Sequence, residues 1–398
     1  MIHVISMPFL MTLYSPEAFG EYAFLLFGVN IFSAVSMAQY DKAVLVTRSD
    51  IHVTPLIFIC LVFHVLAIAL VVLTIILIIE SGWKLHPLLA DYKNTRAIVW
   101  VLFILMSRNM TILLQAVLNR IGRYGMMALL NIVRTLSFII LAWGIAWYDG
   151  SEYGLVKSEY LTSVIMVLLT LYLGYRICKE MVWTINKEVI KECLLLYKQF
   201  PLYSVVKSIF FIFTTDTPLI ILGKYGSLAA AGHYSIATRV LGKPIALLAR
   251  STLSVYRREI ALETKNHGTS INAFNKTLWF QIKYSLPIFI GFVLLIVILG
   301  NKYLPLNWIN AIPQIQILSI MFAANLIVSP IAYNFVYYNR QREDLLLNIA
   351  MFLFTNISLW ILLEVGASVN MSVGVYVIVY TMFYIVYYVK SKAMVTVQ

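Results

Sequence analysis

"PLIFICLVFHVLAIALVVLTIILII", residues Pro55–Ile79, contains no Asp, Glu, Lys or Arg, and its apolar residues do not alternate with polar ones. About 20 apolar residues cross the roughly 30 Å hydrocarbon layer of a bilayer as a helix. Backbone amides in lipid must be satisfied within the protein, which leaves helices or closed barrels. Barrel strands alternate over about 10 residues, and this run does not. "LPIFIGFVLLIVILG" (Leu286–Gly300) reads the same way. The whole chain shares the character. Of its 398 residues 61% are hydrophobic and 12% charged, against about 25% charged in soluble domains, and its mean hydropathy is +0.85. The fold class is all-α, a polytopic membrane protein.

Working outward, apolar segments recur at 19–46, 55–79, 97–118, 126–148, 154–176, 199–223, 226–256, 279–300, 314–338, 345–364 and 370–389. Ahead of them "MIHVISMPFLMTL" is apolar but too short to cross unaided, and it lacks the charged front and cleavage site of a signal peptide. Taken as the outer end of a first helix, it gives about 12 helices, the first cut short by a truncated gene or a misplaced start.

Lys and Arg place the chain in the bilayer. With the first helix running outward, Lys42, Arg48, Arg120, Arg123, the runs 176–198 and 257–276, Arg340, Arg342, Lys390 and Lys392 fall on the cytoplasmic side. The outer side receives only Lys84, Lys93, Arg96, Lys157, Lys224 and Lys302. The positive-inside rule selects this orientation, with the C-terminus cytoplasmic. The net charge of +12 is thereby assigned to topology and to the interior, and nucleic acid is not an expected partner. Cys60, Cys178 and Cys193 show no zinc-ligand spacing and read as structural. Outer loops are short; the longest is Glu80–Arg96. Met181, Val182, Ile185, Val189 and Ile190, interleaved with charges in Arg176–Lys198, suggest an amphipathic helix on the membrane surface.

The chain also repeats itself. "YSPEAFGEYAF" (Tyr14–Phe24) and "LAAAGHYSIAT" (Leu228–Thr238) both place Gly-x-Tyr at the entry to a helix, with Gly20 and Gly232 212 positions apart. Asn119-Arg120 and Asn339-Arg340 mark two turns 220 positions apart, each followed by a span carrying an Asn, Asn131 or Asn348. An even number of helices per repeat gives two parallel halves, a pattern of transporter folds with the substrate site between repeats. The expected organisation is a six-helix bundle over 1–176, an amphipathic connector over 177–198 and a second bundle over 199–398. Gly20 and Gly232 then permit close approach of the preceding turn, and Tyr22 and Tyr234 suit the outer interface.

"LYSPEAFGEYAF", "QYDKAVLV" (Gln39–Val46) and the block Tyr197–Ile260, which includes "FTTDTPLIILGKYGSLAAAGHYSIATRVLGKPIALLARS", carry a resemblance to a family. The chain resembles the Wzx-type polysaccharide flippases of the multidrug/oligosaccharidyl-lipid/polysaccharide exporter superfamily. The resemblance implies a protein of the bacterial cytoplasmic membrane, not an enzyme. It implies that undecaprenyl-diphosphate-linked repeat units, such as those of O-antigen or capsule, are moved to the outer leaflet, alongside other polysaccharide assembly proteins. A complete first helix is usual there, and the short start departs from it.

Seven cations lie within spans: Arg108, Arg134, Lys207, Arg239, Lys243, Arg250 and Lys283. A charge in hydrocarbon costs several kcal/mol, so each faces a cavity, a partner or an interface. At about 100° per residue Arg239, Lys243 and Arg250 share one stripe of one helix. Pro244 beside them should kink that helix. The equivalent positions of the first half, Phe27, Ile31 and Ala38, are uncharged. A cationic stripe suits a diphosphate crossing the membrane, Arg by bidentate donors and Lys as a point charge. Arg108 is the expected contribution of the first half. Arg134, Lys207 and Lys283 lie nearer the cytoplasmic ends, where snorkelling is the default. In "TTDTP" (Thr214–Pro218) the Asp216 carboxylate and Thr215 hydroxyl suit Na⁺ or H⁺ as a coupling ion, no other cofactor being expected. Asp216 reads as the only acid deep in a span.

Two other functions compete. A cation-coupled multidrug exporter of the same fold would favour acidic cavities. A polymerase or ligase of lipid-linked sugars would need a catalytic constellation on a substantial outer loop, and His52, His64, His86 and His233 are scattered singly.

Overall fold

The computed structural model describes residues 2–47, 49–80, 95–148, 153–181, 183, 185–267, 269–338 and 340–396. The helices in chain order are α1 (Ile2–Leu13), α2 (Pro16–Ser36), α3 (Tyr40–Val46), α4 (Val53–Glu80), α5 (Thr95–Arg120), α6 (Tyr124–Tyr148), α7 (Gly154–Glu180) and α8 (Lys187–Leu196). There follow α9 (Val205–Ile221), α10 (Leu228–His267), α11 (Ile271–Phe280), α12 (Leu286–Tyr303), α13 (Ala311–Val328), α14 (Asn334–Tyr337), α15 (Gln341–Glu364) and α16 (Val369–Thr396). Among the described residues ten helical segments are long and apolar enough to cross a membrane. Two further helices bring the polytopic fold to the expected size. α1 is only 12 residues long. α10, of 40 residues, is the longest helix among the described residues and is not one of the ten.

The span expected over 19–46 is broken. α2 ends at Ser36, Ala38 and Gln39 take left-handed φ of 48° and 59°, and α3 starts afresh. Left-handed backbone disfavours residues with a Cβ. The Gln39 amide donates to the Ala34 carbonyl at 2.9 Å, which helps hold the break. The loop expected over 80–96 and His86 lie largely outside the described residues.

By contacts the chain divides into two compact units, Phe24–Ile212 and Met1–Ala23 with Phe213–Gln398. The chain passes from one unit to the other within α2 and again within α9. These boundaries differ from those read from the repeat.

In the unit Phe24–Ile212, Tyr40, Val44, Leu56, Leu118, Met166 and Cys193 belong to one buried cluster. The Arg120 guanidinium donates to the Val44 carbonyl at 3.2 Å and the Thr47 carbonyl at 2.7 Å, and pairs with Asp50 at 2.7 Å. It thus satisfies carbonyls left open at the end of α3. The expected amphipathic helix is α8, started by the Asn186 side chain accepting from the Glu188 amide. Val189 and Ile190 pack on the cluster, whereas Ile185 precedes the helix and is exposed. The Cys193 thiol is buried on α8, and burial pushes it up to about 11.

In the other unit the helix starts repeat. Ser15 Oγ accepts from the Ala18 amide at 3.3 Å, and Ser227 Oγ from the Ala230 amide at 3.0 Å. Each serine meets one of the open donors of a first helical turn. Trp308 is fully buried and donates to the Tyr14 carbonyl at 3.1 Å, with Phe19 edge-on to its ring at 5.1 Å. At the far end Tyr256, Phe274, Ile331 and Phe335 form a second core with Tyr387. There Tyr256 donates to Asn334 at 2.6 Å, and Asn334 donates to the Ser391 carbonyl at 3.1 Å.

Candidate functional site

The glycines that mark the repeat touch each other's helices. A methyl group placed on Gly20 would lie 2.4 Å from the Leu228 carbonyl oxygen, and one on Gly232 would lie 1.9 Å from that of Pro16. Each glycine therefore seats the first turn of the other helix, not the turn before its own. Tyr22 and Tyr234 correct the expectation of an interfacial place, because only 4% and 1% of their surfaces remain exposed.

Burial of Tyr22 has a consequence for the cationic stripe. The Arg239 guanidinium lies over the Tyr22 ring, 4.9 Å from its centre, and the arginine is half-buried. A cation over an aromatic face is attracted by the ring quadrupole. Further along α10, Lys243 and Arg250 are both exposed, as are Ser251 and Ser254. Buried Leu241, Ile245 and Tyr256 form the opposite, packed side. α10 runs through Pro244 as one helix. The predicted stripe thus splits by environment: Arg239 rests on an aromatic floor, while Lys243 and Arg250 present their charges outward. Exposed Arg257 extends the face and stacks over Tyr333 at 4.8 Å.

The first-half cations belong to the unit Phe24–Ile212. Arg108 on α5 is half-buried between buried Ser107 and Asn109, and it donates to Asn30 Oδ1 at 2.9 Å. Arg134 does not snorkel, because it pairs with Glu159 on α7 at 2.5 Å, the acid's side chain being 3% exposed. This also corrects the reading of Asp216 as the only acid deep in a span. Glu159 lies within Gly154–Glu180, a segment apolar enough to cross. The sequence signal was available, since "SEYLTS" places a carboxylate among hydroxyls inside an apolar run. Lys207 is exposed, and exposed Lys283 sits with its ammonium 5.5 Å from the Tyr284 ring.

Asp216 and Thr215 are half-buried on α9. Pro218 lies inside that helix and has no N–H for the carbonyl four residues back, that of Thr214. The Tyr376 hydroxyl supplies the missing donor at 3.0 Å. The TTDTP stretch is thereby held from α16, and the backbone beside Asp216 stays satisfied despite the proline.

Ten segments able to span a membrane among the described residues, a helix broken at Ala38–Gln39 and charges kept on one face of a long helix define a polytopic membrane fold. The chain belongs to the polysaccharide biosynthesis protein family, whose pattern matches residues 9–313. No curated protein matches it in sequence. Its fold is that of an inward-facing multidrug resistance MATE family transporter of the MOP superfamily, with a TM-score of 0.70 at 14% identity, covering 100% of this chain and 98% of that one. It is likewise similar to the lipid II flippase MurJ in an inward closed conformation, with a TM-score of 0.66 at 15% identity, covering 98% and 88%. A MATE protein in complex with MaD3S gives 0.65 at 15% identity, covering 100% and 94%. At such identity these likenesses define the fold alone.

Proposed function

We propose that the chain flips polyprenyl-diphosphate-linked oligosaccharide, an undecaprenyl-type repeat unit of O-antigen, capsule or a similar polymer. It moves the headgroup from the inner to the outer leaflet of the bacterial cytoplasmic membrane by alternating access, with its C-terminus cytoplasmic. The observation that carries this reading is the outward-facing charge of Lys243 and Arg250, one face of α10 below Arg239. Cations at membrane depth persist where water or an anionic partner meets them. Phosphate oxygens are the partner that Arg and Lys recognise best, and two of them in series neutralise a diphosphate. The lipid tail stays in the hydrocarbon while the headgroup follows α10. Membership of a polysaccharide biosynthesis family and the fold shared with a lipid II flippase support the substrate class.

A cationic face disfavours the cationic compounds that an exporter of the same fold would move. Asp216 and Thr215 are the proposed coupling site, with H⁺ or Na⁺ as the ion, and other polysaccharide assembly proteins are the proposed partners. Liposomes holding the purified chain and a fluorescent undecaprenyl-diphosphate oligosaccharide test the proposal. Headgroups that become accessible to an external quencher faster than in empty liposomes support it. Unchanged headgroup exposure, together with uptake of a cationic dye, would replace it with the exporter reading.

A further inference from the structure

We infer that α16 carries a proton relay joining Asp344 to Asp216 through a row of tyrosine hydroxyls. This deepens the coupled-transport reading above; it rests on that reading for its purpose but not on the identity of the lipid.

Tyr376, Tyr380, Tyr384 and Tyr387 recur at helical spacing and so share one face of α16. The Tyr380 and Tyr384 rings stack at 5.2 Å, and their hydroxyls approach to 3.4 Å. Tyr376 meets Tyr380 at 6.0 Å between ring centres, and Tyr384 meets Tyr387 at 6.1 Å. At one end the Tyr387 hydroxyl donates to Asp344 Oδ1 at 3.0 Å. At the other, Tyr376 meets the Tyr234 ring edge-on at 6.5 Å, and its hydroxyl donates at 3.0 Å to the carbonyl of Thr214, two residues before Asp216. The Asn325 side chain, from α13, faces the hydroxyls of Tyr380 and Tyr384 midway along the row.

Packing alone does not call for hydroxyls here. Burying a hydroxyl costs free energy unless it is hydrogen-bonded, and Phe fills the same volume without that cost. The chain contains 22 Phe, yet this buried face uses Tyr four times in succession. The row covers about 16 Å at 1.5 Å rise per residue, half of the hydrocarbon thickness. Its two longer steps are each about one turn, a distance that a rotating hydroxyl and one bridging water span.

The proton balance closes. Asp344 takes a proton from water and then donates to the Tyr387 oxygen, reversing the bond seen in the structure. Each phenol oxygen gains one proton from below and releases its own to the next. The last proton reaches Asp216, which becomes a carboxylic acid and then gives that proton to water at its partly exposed side, so that Asp344, Asp216 and every phenol return to their starting states. Charged groups around the entry are Glu343, Arg340 and Lys390, with Glu343 bridged to Arg340 at 3.2 Å and to Lys390 at 3.1 Å. Asn348 donates to Asp344 Oδ1 at 3.0 Å. Titratable groups beside Asp216 at the exit include Tyr234 and Tyr376.

The full chain in liposomes loaded with a pH-sensitive dye, under a valinomycin-set potential and without lipid-linked sugar, tests the relay. The expected result is proton uptake faster than in empty liposomes, lost in Tyr380→Phe and in Tyr384→Phe, and kept in Tyr303→Phe, whose side chain is exposed. The Phe variants keep the rings, and an unchanged melting temperature separates lost hydroxyls from lost fold. Asp344→Asn, which removes the entry carboxylate and leaves all four tyrosines in place, is expected to abolish uptake as well. Wild-type uptake equal to that of empty liposomes, or Phe variants that conduct as wild type does, would overturn the relay. Because no lipid-linked sugar is present, failure of the flippase reading would leave this result unchanged.

Discussion

Gly20 and Gly232 are reciprocal: each lies against the carbonyl that stands four residues before the other, Leu228 for Gly20 and Pro16 for Gly232. Two copies of one motif thus form a single symmetrical crossing. The obstacle to any side chain is backbone, which no rotamer change can move aside. Gly232→Ala is expected to destabilise by about 1–3 kcal/mol or more, as overpacking does. Gly20→Ala is expected to cost less, because its methyl would lie 2.4 Å and not 1.9 Å from the opposing oxygen. Gly144→Ala and Gly174→Ala, which meet nothing within 4 Å, are the controls. Melting temperatures in detergent check the order.

Arg134 and Glu159 form an ion pair whose carboxylate side chain is buried. Removing the cation strands a carboxylate in a low-dielectric site, a change that costs about 3–5 kcal/mol in buried pairs. Arg134→Ala is therefore expected to lower the melting temperature sharply. Adding Glu159→Gln to it removes the buried charge and is expected to restore part of the loss. A double variant no better than the single would show that the carboxylate is held by other partners.

Tyr376 and Pro218 are linked through the Thr214 carbonyl. Tyr376→Phe removes the donor and is expected to cost about 1–3 kcal/mol, the penalty for a buried group left without its bond. In a Pro218→Ala background the helix can supply its own N–H, so the same Tyr376→Phe change is expected to cost less. A double-mutant cycle on thermal stability reads the coupling directly.

Cys193 packs in the core beneath α8, with burial holding its thiol up at about 11. Only the thiolate reacts with maleimide. Near pH 7.5 the native protein is expected to leave Cys193 unlabelled, and labelling is expected to appear on unfolding or as the pH climbs toward 11. Rapid labelling near neutrality would show α8 detaching from the cluster.

The spans were legible because hydropathy is local, and the exposed face shared by Lys243 and Arg250 because helical spacing is local too. The break at Ala38–Gln39 was not, since neither Gly nor Pro marks it and a side-chain amide helps to hold it. The Gly-x-Tyr pair announced a repeat, but spacing cannot say that the two copies meet. Tyr22 was read as an interfacial anchor for the same reason: only tertiary structure shows Arg239 over its ring. Glu159 was passed over because one acid hardly lowers the hydropathy of a 27-residue helix. Its partner came from another helix, which moved Arg134 from a snorkelling cation to half of an ion pair.

The flipping rate of Arg239→Ala/Lys243→Ala against that of the wild type, in liposomes carrying undecaprenyl-diphosphate oligosaccharide, tests the central claim most directly. Wild-type flipping is expected, with a rate at least about tenfold lower in the double variant, the equivalent of about 1.4 kcal/mol in the barrier, and the melting temperature preserved. Equal rates in the two proteins would contradict the assignment of α10 as the path of the diphosphate.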